Sequence, residues 1–274
     1  MIALDANGAD AGAAVVVEGA RRAATAVTLF GPAAEIVDPP GEVVDAPVAI
    51  GGDEDPARAV RSKPDSSIVQ AARTVGGGGA EAIVSAGATG AVLAASLFHV
   101  KRLRGVSRPA IAVLLPVPGH PTLLLDAGAN VEVRPEHLVQ FALMGAAFMH
   151  AVHGVECPRV GLLSVGEEAA KGTPDVVEAH ARLAAVETRD MDFAGNVEGH
   201  AVTAGAVDVV VTDGFTGNVA LKVMEGAAKT VVGAVREAIG SSPLAAVGGL
   251  LVRGRLGGLR RELDPDTTGG AVLL

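Results

Sequence analysis

The sequence has no tryptophan and no tyrosine, and its six phenylalanines make aromatics only 2% of 274 residues. So few flat rings exclude the stacking platforms with which proteins hold single-stranded nucleic acid. Basic residues are also scarce: 22 Lys and Arg stand against 31 Asp and Glu, a formal net charge of −9 at pH 7. A surface of that sign repels phosphate backbones, so no nucleic-acid partner is expected. Cysteine occurs once, at Cys157, which excludes an intramolecular disulfide and a thiolate metal cluster and suits a reducing cytoplasm. Cys157 has no histidine at nucleophile spacing and is expected to be a small packing residue. There is no signal-peptide pattern, because Met1 runs directly into I-A-L-D. One run without Asp, Glu, Lys or Arg, Ala82 to Val100, has the length of a membrane span. Ser85, Gly87, Thr89 and Gly90 at its centre instead divide it into a strand, a turn and a helix.

What the chain does have is Ala, Val and Leu, in a composition that is 49% hydrophobic. Short β-branched runs at 2–5, 27–30, 46–50, 80–84, 110–115, 122–126, 160–165 and 207–212 read as strands. Helix-length stretches lie between them, near 13–26, 66–75, 89–103, 135–153, 174–186 and 216–239. Pro135 and Pro174 fit first-turn positions, with Thr173 as the N-cap of the second helix. Strand–helix alternation predicts an α/β fold with a mainly parallel sheet and helices on both faces. The whole chain, 1–274, is expected to form a single α/β domain. Residues 38–45 read as an exposed connection. A segment at about 240–263, apolar residues interleaved with Arg253, Arg255, Arg260 and Arg261, is expected to protrude as an amphipathic element.

The frame [S/T]-x-G-x-T-G-x-V occurs twice, at Ser85 to Val92 and at Thr212 to Val219, each time between a strand and a helix. A glycine turn that opens a helix presents backbone N–H groups and the positive end of the helix dipole to an anion. The first corner contributes Ser85, Gly87, Thr89 and Gly90. The second contributes Asp213, Gly214, Thr216, Gly217 and Asn218, with Lys222 one turn on. Neither is G-x-G-x-x-G or a P-loop, so a phosphate or other anionic oxygen is indicated in place of a nucleotide. Further polar residues gather at strand ends: Asp126 and Asn130 in D-A-G-A-N, Lys171 and Gly172 in G-E-E-A-A-K-G, and Asn196 in G-N-V-E-G. In parallel sheets that is where ligands bind.

These stretches, together with I-A-L-D-A, S-S-I (66–68), L-V-Q-F-A-L-M-G, V-V-T-D-G-F-T-G-N-V-A-L-K and the final G-G-A-V-L-L, resemble the phosphate acyltransferase family of bacterial phospholipid synthesis. The match runs in order along nearly the whole chain. The resemblance implies a three-layer αβα sandwich like that of the isocitrate and isopropylmalate dehydrogenases and the phosphotransacetylases, as a homodimer. It implies transfer of a fatty acyl group from acyl-carrier protein to inorganic phosphate, giving acyl phosphate. The sequence departs from the family at Ala88, Ser164 and Thr173, where the family usually has Asn, and at His200-Ala201, where it has Arg-Asp. The family continues past its G-G-A-P-L-L-G motif with a strand, a His-Gly pair and a helix; Leu274 is the last residue here.

On that reading phosphate attacks the thioester directly, and no Ser or Cys nucleophile is needed. Lys171 is expected to contact the phosphate, and Asn196, Asn218 and Asn130 to donate hydrogen bonds to the oxyanion or to the pantetheine amides. Asp213 is expected to orient Lys171 or Lys222. Ser85, Gly87, Thr89, Gly90, Asp126, Asn130, Gly172, Gly214, Thr216, Gly217 and Lys222 complete the substrate-binding set. No metal and no cofactor are implied; His150 and His153 are expected on a helix surface. Lys101, Arg102, Arg104 and Arg108 form a basic patch for acidic carrier protein. The location implied is cytoplasmic, with the 240–263 segment touching anionic membrane at its inner face. Two alternatives are a catalytically silent relative that binds carrier protein or membrane, and a metal- and NAD-dependent decarboxylating dehydrogenase. The second needs clustered aspartates and arginines that the sequence lacks.

Overall fold

The computed structural model of the protein describes residues 1–115, 117, 119–240, 248 and 269–274. The expected amphipathic segment at about 240–263 falls almost wholly outside that set. The chain forms two compact units, Met1–Pro109 and Ala110–Leu273.

The first unit contains β1 (Ile2–Asp5), α1 (Ala13–Arg22), β2 (Val27–Gly31), β3 (Glu42–Asp45), α2 (Pro56–Ser62), α3 (Ser67–Gly76), β4 (Ala82–Ser85) and α4 (Thr89–Ala95). Its four strands are parallel, in the order β3-β2-β1-β4. Alternate residues face opposite layers, as the two-residue period of a strand dictates. Leu4 and Leu29 pack on Val16 and Val17 of α1. Ala3 and Phe30 pack on Ala71 of α3 on the other side. The uncharged run 82–100 is β4, a turn, α4 and a π-helical turn over Ser96–Val100. Among the described residues no helix is long and apolar enough to cross a membrane.

One strand lies elsewhere than expected. Residues 42–45, read as part of a connection, form β3, whereas of 46–50 only Val48 makes an isolated bridge, to Ser66. Pro47 has no N–H for a ladder, so pairing stops before it. The two valines of β3, flanked by acids at an edge, are too few to stand out as a run.

The second unit begins with β5 (Ala110–Leu115), β6 (Thr122–Leu125), α5 (Pro135–His153), β7 (Arg159–Leu163) and α6 (Pro174–Ala184). It continues with β8 (Asp192–Val197), α7 (Ala201–Ala204), β9 (Val209–Val211), α8 (Gly214–Gly240) and β10 (Gly270–Leu273). Its sheet has the order β10-β5-β6-β9-β7-β8. The last four are parallel, while β5 pairs antiparallel with both β6 and β10. Helices cover both faces. Leu123, Leu125, Val209 and Val211 face Phe141 and Met149 of α5. Leu124 and Val210 face Val202 of α7 and the partly buried Leu221 and Met224 of α8. The expected α/β architecture, mainly parallel with a helical layer on each face, is present.

Pro135 and Pro174 stand at first-turn positions, and Thr173 caps α6 by accepting from the N–H of Val176 at 3.3 Å. Gly154 ends α5 with φ 68°, in the left-handed region that glycine alone enters freely. Cys157, expected to pack inside, is exposed in the turn that follows; the adjoining Pro158 is the buried residue. Strand β8 is hidden in the sequence because Ala194 is skipped in its pairing with β7, which breaks the alternation.

Phe141 is fully buried between α5 and the sheet. Phe141→Ala should lower the unfolding free energy by about 3–5 kcal/mol, read as a lower midpoint in urea denaturation.

Candidate active site

Because β6, β9, β7 and β8 are parallel neighbours, their C-terminal ends open on one edge of the second sheet. The loops that leave this edge carry Asp126 and Asn130, Asp213 to Asn218, Ser164 to Thr173, and Glu198 onward. Their clustering follows from strand order, which brings together positions far apart in the chain.

Asp126 is fully buried. Its Oδ1 accepts from the N–H groups of Ile111 (2.9 Å), Gly128 (3.1 Å) and Ala129 (3.0 Å). Its Oδ2 accepts from the backbone N–H (2.7 Å) and the Nδ2 (2.8 Å) of Asn130. A buried carboxylate is tolerated only when its oxygens are satisfied in this way. The D-A-G-A-N stretch is thus wound around its own aspartate, and the side chains of Asp126 and Asn130 point at each other.

The start of α8 is seated on this loop. The Gly214 N–H donates to the Asn130 carbonyl at 2.7 Å, and a Cβ on Gly214 would stand 2.8 Å from the same backbone. A Cβ on Gly217 would collide with the carbonyl oxygen of Asp126. Asp213 caps the helix, accepting from the N–H (2.8 Å) and Oγ1 (2.7 Å) of Thr216, while its own carbonyl takes the N–H of Gly217 at 2.9 Å. The glycines of this corner are therefore set by close backbone approach. The amides of Gly214, Thr216 and Gly217, expected to be bare, are engaged within the protein. Asp213 binds Thr216 in place of the lysine it was expected to orient. Lys222 is exposed and turns to Glu225 at 3.0 Å. Asn218 is exposed, its side chain beside Gly128.

Lys171 lies on the turn between β7 and α6, and its main chain is held from three sides. Its N–H donates to the Glu168 carbonyl at 2.9 Å, and its own carbonyl accepts from Ser164 Oγ at 2.9 Å. The third hold is Asn196, 5% exposed, whose Nδ2 donates to the carbonyls of Glu168 (2.9 Å) and Lys171 (3.4 Å). Gly172 follows at φ 111°, which disfavours any side chain, and a Cβ there would stand 2.7 Å from Val176. The Lys171 side chain is exposed and makes no ion pair among the described residues. Asn196, expected to donate to a substrate, directs its amide hydrogens to this turn.

In the first unit, Ser85 Oγ donates to Asp5 Oδ2 at 2.7 Å and accepts from the Gly87 N–H at 3.0 Å. Gly87 and Gly8 approach so closely that a Cβ on Gly8 would lie 2.7 Å from the Gly87 Cα. Gly90 lies against Pro56, and Thr89, exposed, opens α4. Ala88, at the N-cap position, offers the helix no side-chain acceptor. Asp5 is 2% exposed and anchors this corner, a part that the sequence reading did not assign to it.

The model of the family described as "Fatty acid synthesis protein" matches residues 1–274. The chain is 47% identical over 232 residues to the phosphate acyltransferase of Elusimicrobium minutum strain Pei191, covering 85% of this chain and 67% of that protein. It is 44% identical over 279 residues to the phosphate acyltransferase of Deinococcus radiodurans strain R1, covering 97% of this chain and 77% of that one. The chain belongs to the phosphate acyltransferase family. Its fold is similar to that of a branched-chain phosphotransacylase from Enterococcus faecalis V583, with TM-score 0.60 at 18% identity over 81% of this chain and 83% of that one. The phosphotransacetylase-like fold implied by the motifs is therefore the one observed.

Within the family's motifs, the structure separates two kinds of residue. Asp126, Asn130, Asn196, Asp213, Gly214 and Gly217 build the edge; Lys171 and Asn218 project from it. Gly217→Ala should destabilise the protein by about 1–3 kcal/mol, because the new methyl must push the start of α8 off the Asp126 loop. A thermal unfolding temperature equal to that of the unaltered protein would contradict this packing.

Proposed function

We propose that the protein transfers a fatty acyl group from acyl-carrier protein to inorganic phosphate, giving acyl phosphate for phospholipid synthesis. The observation that carries this reading is the Lys171 turn: a cation whose main chain is fixed and whose ammonium makes no ion pair among the described residues, at the mouth of parallel strands. That the chain's relatives are named phosphate acyltransferases supports the same reading.

In the reaction, a phosphate oxygen forms a bond to the thioester carbonyl carbon. The resulting oxyanion collapses, the carbon–sulfur bond breaks, and the pantetheine sulfur leaves as thiolate. The protein needs no nucleophile of its own for this; it needs to place the phosphate and to favour the oxyanion over the ground state. Lys171 meets the first need, through charge. In the same proposal Asn218, beside Gly128 at the start of α8, donates to the acyl oxygen or a pantetheine amide. Asp126, Asn130, Asn196 and Asp213 act by holding the loops that present these groups. Ser85, Gly87, Thr89 and Gly90 of the first unit are assigned to substrate binding in the same proposal.

Carrier protein is acidic, so its docking calls for a local basic surface on a chain that is negative overall. Lys101, Arg102, Arg104 and Arg108 are exposed on the segment that follows the π-helical turn, with Arg102 bonded to the carbonyl of Ser107. The protein is further proposed to act as a homodimer in the cytoplasm, with residues 240–263 in peripheral contact with anionic membrane.

Mixing acyl-carrier protein thioester with phosphate and trapping the product with hydroxylamine tests the central activity. Lys171→Ala should lower kcat/KM for phosphate by roughly a hundredfold. Reversing charge at Arg102 and Arg104 together should raise the KM for carrier protein and leave that for phosphate unchanged. An unaltered KM for carrier protein in 50–150 mM salt, on the order of physiological ionic strength, would remove this patch from the docking surface.

A further inference from the structure

We infer that His180 is a positioning residue for the Lys171 turn, acting through Asn196. The inference rests on the role proposed for Lys171.

His180 lies on α6, the helix that begins directly after the turn, and its Nδ1 is 3.0 Å from Asn196 Oδ1. The direction of that hydrogen bond follows from the other end of the amide. Asn196 Nδ2 faces two carbonyl oxygens, those of Glu168 and Lys171, and can only donate to them. Its Oδ1 is thereby turned towards His180, and an amide oxygen can only accept. His180 Nδ1 must therefore carry a hydrogen. If that donor is lost, Oδ1 is left without its partner and the amide is held only by its two Nδ2 bonds, the longer of them 3.4 Å.

The result is a chain of three links from the middle of a helix to the main chain of one lysine: imidazole N–H to amide oxygen, amide N–H to two carbonyls, and those carbonyls on either side of the bend that aims Lys171. The imidazole ring is itself fixed, edge-on to Phe193 of β8 at 5.2 Å between ring centroids and 70° between planes. Gly195, at φ 91° on the same strand, also lies near the ring, and a Cβ there would be 3.8 Å from His180 Cε1. Ser164 gives the Lys171 carbonyl a second donor, but nothing else in the described hydrogen bonds reaches the Glu168 carbonyl from β8. The Glu168 carbonyl also takes the Lys171 N–H within the turn, so the amide that His180 orients is what ties that carbonyl to β8.

Two substitutions separate the donor from the ring. His180→Phe keeps a ring against Phe193 and removes the N–H. His180→Asn removes the ring and keeps a donor one bond beyond Cγ, where Nδ1 stands. Amide hydrogen exchange of substrate-free protein and steady-state kinetics are then compared for both. Exchange over residues 164–173 should quicken in His180→Phe and stay near that of the unaltered protein in His180→Asn. The KM for phosphate should rise about tenfold in His180→Phe, the scale of a lost hydrogen bond, with the KM for carrier protein unchanged. In a Lys171→Ala background His180→Phe should have no further effect on phosphate. The inference is overturned if His180→Asn is the more damaging change, or if His180→Phe lowers kcat and thermal stability while the KM for phosphate and the exchange of 164–173 stay the same. Should the unaltered protein form no acyl phosphate, the proposed function fails, and exchange over 164–173 alone decides the His180 link.

Discussion

The carboxylate of Asp126 is sealed from solvent, and among the described residues five N–H donors converge on its two oxygens. One donor comes from β5, two from the loop after β6, and two from Asn130. A charge cannot be left in such a place without partners, so the main chain of residues 126–130 is compelled to wrap around it. That wrapping produces the surface on which α8 begins. The Asn130 carbonyl receives the Gly214 N–H, and the Asp126 carbonyl touches Gly217 so closely that no side chain fits. Register of the sheet, direction of the longest helix and shape of the strand-end edge are tied together at one buried side chain.

The Lys171 turn is built by the same logic with different parts. There a neutral amide, Asn196, takes the central place, and carbonyl oxygens converge on it from the bend it supports. In both cases the buried polar group faces the protein and leaves another group to face solvent: Asn218 in the first case, Lys171 in the second. Rigid support behind an exposed charge is what an anion site requires, because a lysine held only by its own long side chain loses much of its electrostatic advantage to conformational freedom. Polar residues of the family's motifs thus divide into those that hold and those that reach.

The two Gly-Thr-Gly corners show how far a shared frame carries. Both sit between a parallel strand and a helix, as their flanking residues indicate. Each is tight because another main chain crosses it: Gly8 at Gly87, Asp126 and Asn130 at Gly217 and Gly214. In the second corner the amides of Gly214, Thr216 and Gly217 are engaged inside the protein, by Asn130 and Asp213, whereas in the first Gly87 donates to Ser85 and the start of α4 has no side-chain cap. A glycine between strand and helix records close approach, and the approaching partner can be a backbone as well as a ligand.

Read alone, the sequence determined the α/β class, the parallel core strands, the starts of α5 and α6 at Pro135 and Pro174, and the edge at which the polar motifs gather. These are local matters: residue period, capping chemistry and fixed proline geometry act within a few positions along the chain. It missed β3 and β8, whose patterns are shortened by Pro47 or interrupted at Ala194 and Gly195. It also could not say which way the site's side chains turn. Asp213 shares its motif with Lys222 yet bonds Thr216, and Asn196 was expected to reach outward yet holds the Lys171 turn. His180 and Asn196, like Asp5 and Ser85, meet only because helices and strands pack. A hydrogen bond depends on positions within a few tenths of an ångström, and only the packed tertiary structure sets them.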